Sequence, residues 1–187
     1  MSKQISLQGK RIAIMATNGF EQSELTSPRD ALLKAGADVR IVSLEKGQIQ
    51  GYKHDIRGDK VDVNFTLDKV NVNEFDALIL PGGVINPDTL RTHKIAVHFI
   101  QGFDEQQKCI AAICHAPQLL IEAAVVKGRN VTSFHSIRTD LVNAGANWQD
   151  QAVVIDGHMI TSRNPKDLDA FNQAIITMVA QSSQVTA

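Results

Sequence analysis

Ala111-Ala112-Ile113-Cys114-His115-Ala116-Pro117 reads as a strand running straight into a helix, with a cysteine at the bend. Cys109 to Ile113 are small and apolar, as in a strand buried on both faces. Pro117 then opens a helical segment to about Ala124, a residue suited to a first turn because an N–H there has no intrahelical acceptor to lose. So tight a reversal lifts one side chain clear of the sheet edge, as in a nucleophile elbow. It also aims the N-terminal N–H groups of the following helix at that side chain. A thiol at Cys114 is therefore expected to lose its proton readily, and the thiolate is the reactive form. The competing reading is a small buried hydrophobe, the usual condition of a free cysteine. Cys109, inside the strand, is assigned to the core on that ground.

Outward from this bend, apolar runs of strand length alternate with segments of helical period. Arg11 to Ala16 reads as a first buried strand, and Gln22 to Ala35 as a helix stopped by Gly36. Pro28 inside that helix implies a kink or a start close to it. Asp38 to Leu44 is a second strand, and the polar stretch from Gly47 to Leu67 reads as a hairpin excursion outside the main sheet. Phe75 to Leu80 is a third strand, ended by Pro81-Gly82-Gly83. A helix over Lys94 to Gln106 leads to the strand before Cys114. Short strands near Val131-Thr132, Val153 to Ile155 and Met159 to Thr161 precede a last helix from about Pro165 to Val179, capped by Asn164.

Repeated strand–helix alternation implies an α/β fold, a mostly parallel sheet with helices on both faces. Right-handed crossovers bring the loops that follow the strands to one edge, where open α/β sheets build their sites. Asn18 to Glu24, Pro81 to Asp88 and Cys114 to Pro117 should therefore converge.

The 187 residues suit a single domain over 1–187, with its core at about 10–180 and a tail at about 181–187 that is expected to fray. Nineteen basic against twenty acidic residues leave no excess charge for a nucleic-acid face. Apolar stretches fall well short of the ~20 residues a membrane span needs, and nothing at the N-terminus reads as a signal peptide. The chain is read as cytoplasmic, with its two cysteines reduced. His93 and His98 are five apart, off a common helix face, and His54, His135 and His158 are scattered, so no metal is expected. No GxGxxG and no GxxxxGK followed by Ser or Thr occurs, so no nucleotide cofactor is expected either. Trp148 is assigned to core or interface.

The chain resembles the PfpI-type intracellular protease family, of the superfamily that includes the Parkinson-disease-associated deglycase. The resemblance is carried by the elbow stretch, by Leu80-Pro81-Gly82-Gly83, by Phe20-Glu21-Gln22-Ser23-Glu24-Leu25 and by Thr161-Ser162-Arg163. It extends from about Lys10 to Val179 with the motifs in order. It implies a three-layer sandwich of the flavodoxin-like, class I glutamine-amidotransferase-like type. By the same resemblance Cys114 is the nucleophile, and Glu24 the carboxyl beside its sulfur. Like charge and burial would keep such an acid protonated, able to donate a hydrogen bond that favours the thiolate. Taken alone, Glu24 reads as an ordinary first-turn glutamate.

His115 is implied as general base or thiolate partner, with simple packing at the elbow as the alternative. In proteolytic members a carboxylate after the Gly-Gly loop, contributed by a neighbouring subunit, orients that ring. Asp88 occupies the place here, offset by one extra residue, Asn86, and a helix-capping aspartate is the competing explanation. Gly82 and Gly83 allow main-chain N–H groups to face the site, and with His115 the resemblance implies an oxyanion pocket.

The implied activity is a cysteine-dependent, stress-protective one, on reactive dicarbonyls or glycation adducts. Peptide hydrolysis by the same residues, and a non-catalytic role as oxidative-stress sensor or chaperone using Cys114, are the alternatives. The implied partners are a small carbonyl substrate or peptide, and further copies of the chain as homodimers or homohexamers.

Overall fold

In a computed structural model, which describes residues 5–182, the strands and helices alternate as the sequence implies. The elements in chain order are β1 (Arg11–Met15), β2 (Phe20–Glu21), α1 (Gln22–Lys34), β3 (Asp38–Ser43), β4 (Gln48–Lys53), β5 (Ile56–Asp62), β6 (Phe65–Thr66) and β7 (Ala77–Leu80). There follow α2 (Ile85–Arg91), α3 (Lys94–Glu105), β8 (Cys109–Ile113), α4 (Pro117–Glu122), β9 (Asn130–Val131), α5 (Arg138–Asn143), β10 (Asn147–Trp148), β11 (Val153–Asp156), β12 (Met159–Ser162) and α6 (Leu168–Gln181).

The main sheet has the order β11-β12-β8-β7-β1-β3-β6. All its pairings are parallel except β11 with β12. Its central strands are apolar on both faces because both are covered. Ala13, Met15, Leu78, Leu80, Ile110 and Ala112 point to the side of α3, α4 and α5, among Phe99, Phe103, Leu119 and Leu141. Ile12, Ile14, Ile79, Ala111 and Ile113 point to the side of α1 and α6, among Leu25, Leu32, Phe171 and Ile175. The period of two along each strand thus sorts the core into the two outer layers of an α/β sandwich.

The polar stretch after β3 is a hairpin, as read from its alternation: β4 and β5 pair antiparallel, and β2 adds to β4 as a separate small sheet. Its tip carries His54 back toward the start of α1, where the His54 N–H donates to Glu21 Oε2 at 2.9 Å.

Two expectations need correction. Helix α1 begins at Gln22 and continues across Pro28 to Lys34, so it does not start near the proline. The missing N–H of Pro28 leaves one carbonyl, that of Glu24, without its usual donor, while buried Leu25 and Leu32 hold the helix on either side. The segment after Gly83, read as loop to Asp88, turns helical at Ile85. Pro87 falls within the first turn of α2, where N–H groups lack intrahelical acceptors, so it does not act as a breaker. Helix α6 ends at Gln181 with Ser182 as its cap, and 183–187 of the tail expected to fray lie outside the described residues. Asn164 caps as expected, its side chain accepting the Lys166 N–H at 3.0 Å ahead of α6. Among the described residues no helix is long and apolar enough to cross a membrane.

Candidate active site

The bend between β8 and α4 places Cys114 at φ +65°, a left-handed conformation that non-glycine residues adopt rarely and that costs energy to hold. Two main-chain bonds hold it. The Cys114 N–H donates to the Ser162 carbonyl at the end of β12 at 3.1 Å, and the Cys114 carbonyl accepts the Phe134 N–H at 2.8 Å. The residue is 7% exposed, set at the floor of a cavity rather than standing free at the rim.

Glu24 comes to the same place from the first turn of α1 and is fully buried. Its Oε2 accepts the Gly82 N–H at 2.9 Å, while Oε1 has no hydrogen-bond partner among the described residues. Burial pushes its carboxyl up to about 8, with the Gly82 N–H and Cys114 pulling the other way and the charge of Glu21 adding a little. At neutral pH the group is therefore a carboxylic acid, and Oε1 is the oxygen left free to carry the proton.

The Gly82-Gly83 turn has no room for side chains. A Cβ at position 82 would stand 2.6 Å from Glu24 Oε2 and 2.7 Å from Cys114 Cβ. Gly83 has φ +79°, and a Cβ there would run into the Gly19 carbonyl. The turn is pinned by Asn86, which is fully buried. Its Nδ2 donates to the Pro81 carbonyl at 2.8 Å and the Gly82 carbonyl at 3.2 Å, and its Oδ1 accepts the Thr17 N–H at 2.7 Å. No local pattern in the sequence announces this role.

The N–H groups of Gly83 and His115 are directed at the Cys114 sulfur and favour its anion. They do not decide its ionisation. Burial pushes the thiol up, and the neighbouring Glu24 carboxyl adds to the effect. Against the expectation that the elbow makes the thiol ionise readily, the sulfur is 7% exposed and its desolvation exceeds what the two amides give back. The repulsion from Glu24 exists only where that group is charged, so ionisation of the sulfur depends on Glu24 staying neutral.

His115 Nδ1 lies 3.2 Å from the Cys114 sulfur, and His115 Nε2 lies 3.0 Å from Ser136 Oγ. Burial, and then the neighbouring charge of His135, push this imidazole below its ordinary value, so at neutral pH it is an uncharged base. Phe134 stacks on the ring with centroids 4.8 Å apart, and His135 also packs on Phe134, with centroids 4.3 Å apart. Asp88 is placed differently. It is exposed in the first turn of α2, and it does not line the cavity that holds Cys114.

That cavity, of about 440 Å³, is lined by Glu24, Gly83, Cys114 and His115, and toward its mouth by Glu21, His54, Val84, Phe134, Asn164, Pro165 and Lys166. A larger one of about 750 Å³ lies against α6 and carries Arg129 and His158 but no cysteine. The three loops expected to converge thus do so in space. His54, Ser136 and Lys166 join them from the hairpin tip, the loop after β9 and the turn before α6. Among the described residues no group of three His, Cys, Asp or Glu side chains is placed as metal ligands would be. Trp148 is partly buried against the core and donates to Ser133 Oγ at 3.0 Å.

Known proteins are similar to this chain along nearly its whole length. "Deglycase PfpI" of Pyrococcus furiosus is 43% identical over 169 residues, covering 90% of this chain and 99% of that protein. "Protein/nucleic acid deglycase 2" of Escherichia coli is 42% identical over 175 residues, covering 91% and 98%. Among solved structures, a two-domain protein from Anabaena variabilis containing dj-1/thij/pfpi-like and ferritin-like domains superposes with a TM-score of 0.84 at 36% identity. That match takes in 90% of this chain and 47% of the other, so the chain spans about half of the two-domain protein. The profile of the DJ-1/PfpI family runs over residues 10–178, from the strand before the Glu24 loop to the last helix, and the chain belongs to that family.

Proposed function

We propose that this chain is a stress-protective cysteine enzyme acting on reactive dicarbonyls, or on the early adducts they form with amino groups. The observation that carries the reading is the trio at the cavity floor. A cysteine sulfur stands 3.2 Å from the Nδ1 of an uncharged imidazole, next to a buried carboxyl that is protonated at neutral pH. The names of the relatives, two of them deglycases, point the same way.

For methylglyoxal the steps follow from these positions. His115 Nδ1 takes the thiol proton as the sulfur bonds to the aldehyde carbon. The carbonyl electron pair moves to oxygen, which the Gly83 and His115 N–H groups stabilise and Glu24 Oε1 protonates, giving a hemithioacetal. Moving the C1 proton to C2 through an enediol oxidises C1 and reduces C2, leaving a lactoyl thioester. Water cleaves the thioester, so that methylglyoxal and water become lactate and the thiol returns. In a glycation adduct the same sulfur would displace the amine from the hydroxylated carbon, with His115 supplying the departing proton. Neither sequence needs a cofactor.

A cavity of about 440 Å³ with a recessed sulfur suits a small carbonyl or a single modified side chain better than a folded polypeptide. We assign to the same reading a cytoplasmic setting and self-association as dimers or hexamers. Val84 and Ile85, 63% and 55% exposed beside the cavity mouth, offer apolar surface for that association.

The test is lactate formation from methylglyoxal followed by proton NMR, with a fluorogenic peptide assayed in parallel. Wild-type protein should form lactate, and Cys114→Ser should lose at least about a thousandfold, as expected when a covalent nucleophile is removed. Full turnover by Cys114→Ser would end the proposal. Peptide cleavage without lactate would move the chemistry to hydrolysis, and sulfinate at Cys114 after mild peroxide with no turnover would make the site a sensor.

A further inference from the structure

We propose that Ser136 is a positioning residue for His115, its hydroxyl accepting the Nε2–H and so fixing the tautomer whose Nδ1 faces the Cys114 sulfur. The role rests on the cysteine chemistry proposed above, but the tautomer itself is readable without turnover.

A neutral imidazole carries one proton on two nitrogens, and the hydrogen bond made by one nitrogen decides what the other can do. To take a proton from the thiol, Nδ1 must present its lone pair, so the ring proton must sit on Nε2 and needs an acceptor there. Ser136 Oγ stands at 3.0 Å from Nε2, while Nδ1 stands at 3.2 Å from the sulfur. The stacked Phe134 ring, at 4.8 Å and inclined by 27°, limits rotation of the imidazole out of this line.

The loop that carries the hydroxyl is itself tied to the elbow. Phe134 donates its N–H to the Cys114 carbonyl at 2.8 Å, and the turn His135–Ile137 closes with the Ile137 N–H on the Phe134 carbonyl at 3.2 Å. Ile137 is buried and anchors the far end of the turn. Ser136 is thus held by two main-chain bonds and one core side chain, all within three residues.

The choice of a hydroxyl has a consequence. A carboxylate against Nε2 would stabilise the imidazolium, whereas a hydroxyl orients the ring without adding charge. Within the chain, Asp88 is exposed and off the cavity, so it does not supply that charge. The titratable groups facing the ring are Cys114 and Glu24 at the cavity floor, His135 packed on Phe134, and Glu21, His54 and Lys166 around the mouth. Orientation by Ser136 leaves His115 uncharged among them and able to accept a proton.

The experiment uses the full chain, labelled with ¹⁵N, and reads the imidazole nitrogen shifts of His115 together with the rate at which iodoacetamide alkylates Cys114 between pH 5 and 9. Wild-type protein should show the Nε2–H tautomer. Ser136→Ala should mix the two tautomers and slow alkylation several-fold near neutral pH, and Ser136→Thr, which keeps the hydroxyl, should restore both. Ser136→Asp should raise the imidazole and carry the acid limb of alkylation upward by about one pH unit, the usual effect of an adjacent carboxylate. Tautomer and acid limb unchanged in Ser136→Ala would overturn the proposal. A tautomer that responds to Ser136 in a protein without dicarbonyl turnover would uphold the positioning role while refuting the enzyme reading.

Discussion

Gly82 donates its N–H to Glu24 Oε2 at 2.9 Å, at a point where a Cβ on Gly82 would stand 2.6 Å from the same oxygen. The bond exists because the residue has no side chain. Gly82→Ala should push the carboxyl away from the sulfur and force the turn against Cys114. Overpacking of this kind costs about 1–3 kcal/mol, and turnover should fall at least about tenfold with the loss of the aligned acid. Urea unfolding and lactate formation measure the two effects. A variant of wild-type activity would show that the acid can be displaced without consequence.

Glu24 should leave a signature in stability against pH. Its carboxyl ionises near 4.5 when unfolded and at about 8 in the folded chain, because burial disfavours the charge. Between those values the folded state holds a proton that the unfolded state has released, so this group lowers wild-type stability as pH rises through the window, and the loss levels off above it. Glu24→Gln carries no such dependence. The stability of Glu24→Gln relative to wild type should therefore climb from pH 5 to 8, by at most about 1.4 kcal/mol per pH unit, while its turnover stays low. Urea midpoints at several pH values would reveal it. A difference independent of pH would mean that the buried carboxyl is not holding a proton.

The two cysteines should part company under alkylation. Burial pushes the Cys109 thiol up to about 12, with no partner to offset it. Cys114 faces the cavity with two N–H groups and an imidazole beside it. Native protein should take up one equivalent of iodoacetamide, at Cys114, and a second only after unfolding. Cys109→Ala should leave turnover intact and cost about 1–2 kcal/mol of stability, as a small core truncation does. Peptide mapping by mass spectrometry settles which sulfur reacts. Early labelling of Cys109 would place it at the surface.

Local pattern reached far into this fold because its strands are apolar on both faces and end in strong punctuation. Pro81-Gly82-Gly83 and Cys114-His115-Ala116-Pro117 mark two strand ends by chemistry that few other contexts use. The site was legible only where one residue bends the chain or where resemblance names it. Glu24 alone is indistinguishable from any first-turn glutamate. His54 and Lys166 reach the cavity, and Ser136 reaches His115, through loops whose direction depends on tertiary packing, and no spacing in sequence encodes that. The thiol departs from its local pattern for a physical reason. The elbow predicts a helix N-terminus beside the sulfur, which is present, but local sequence does not report how deeply the sulfur sits, and burial pushes the thiol up.

Asn86 illustrates the same limit and yields a last prediction. Against the resemblance it is an extra residue in the loop, yet in the fold it is fully buried with three hydrogen bonds to Thr17, Pro81 and Gly82. Asn86→Ala would strand the Thr17 N–H and take a donor from two carbonyls. Leaving a buried polar group unpaired costs about 1–3 kcal/mol, so a loss on the order of 3 kcal/mol is expected. For a domain of this size that corresponds to a fall of about 6–12 °C in Tm. Asn86→Asp keeps the acceptor for Thr17 but sets a second carboxylate oxygen against two carbonyl oxygens. It should be the more damaging of the two at pH 7 and recover ground at pH 4, where the added carboxyl can donate one bond. Calorimetry at the two pH values distinguishes the variants. If Asn86→Ala melts with the wild type, the Gly82-Gly83 turn is held by its glycines alone, and the extra residue is an insertion without structural work.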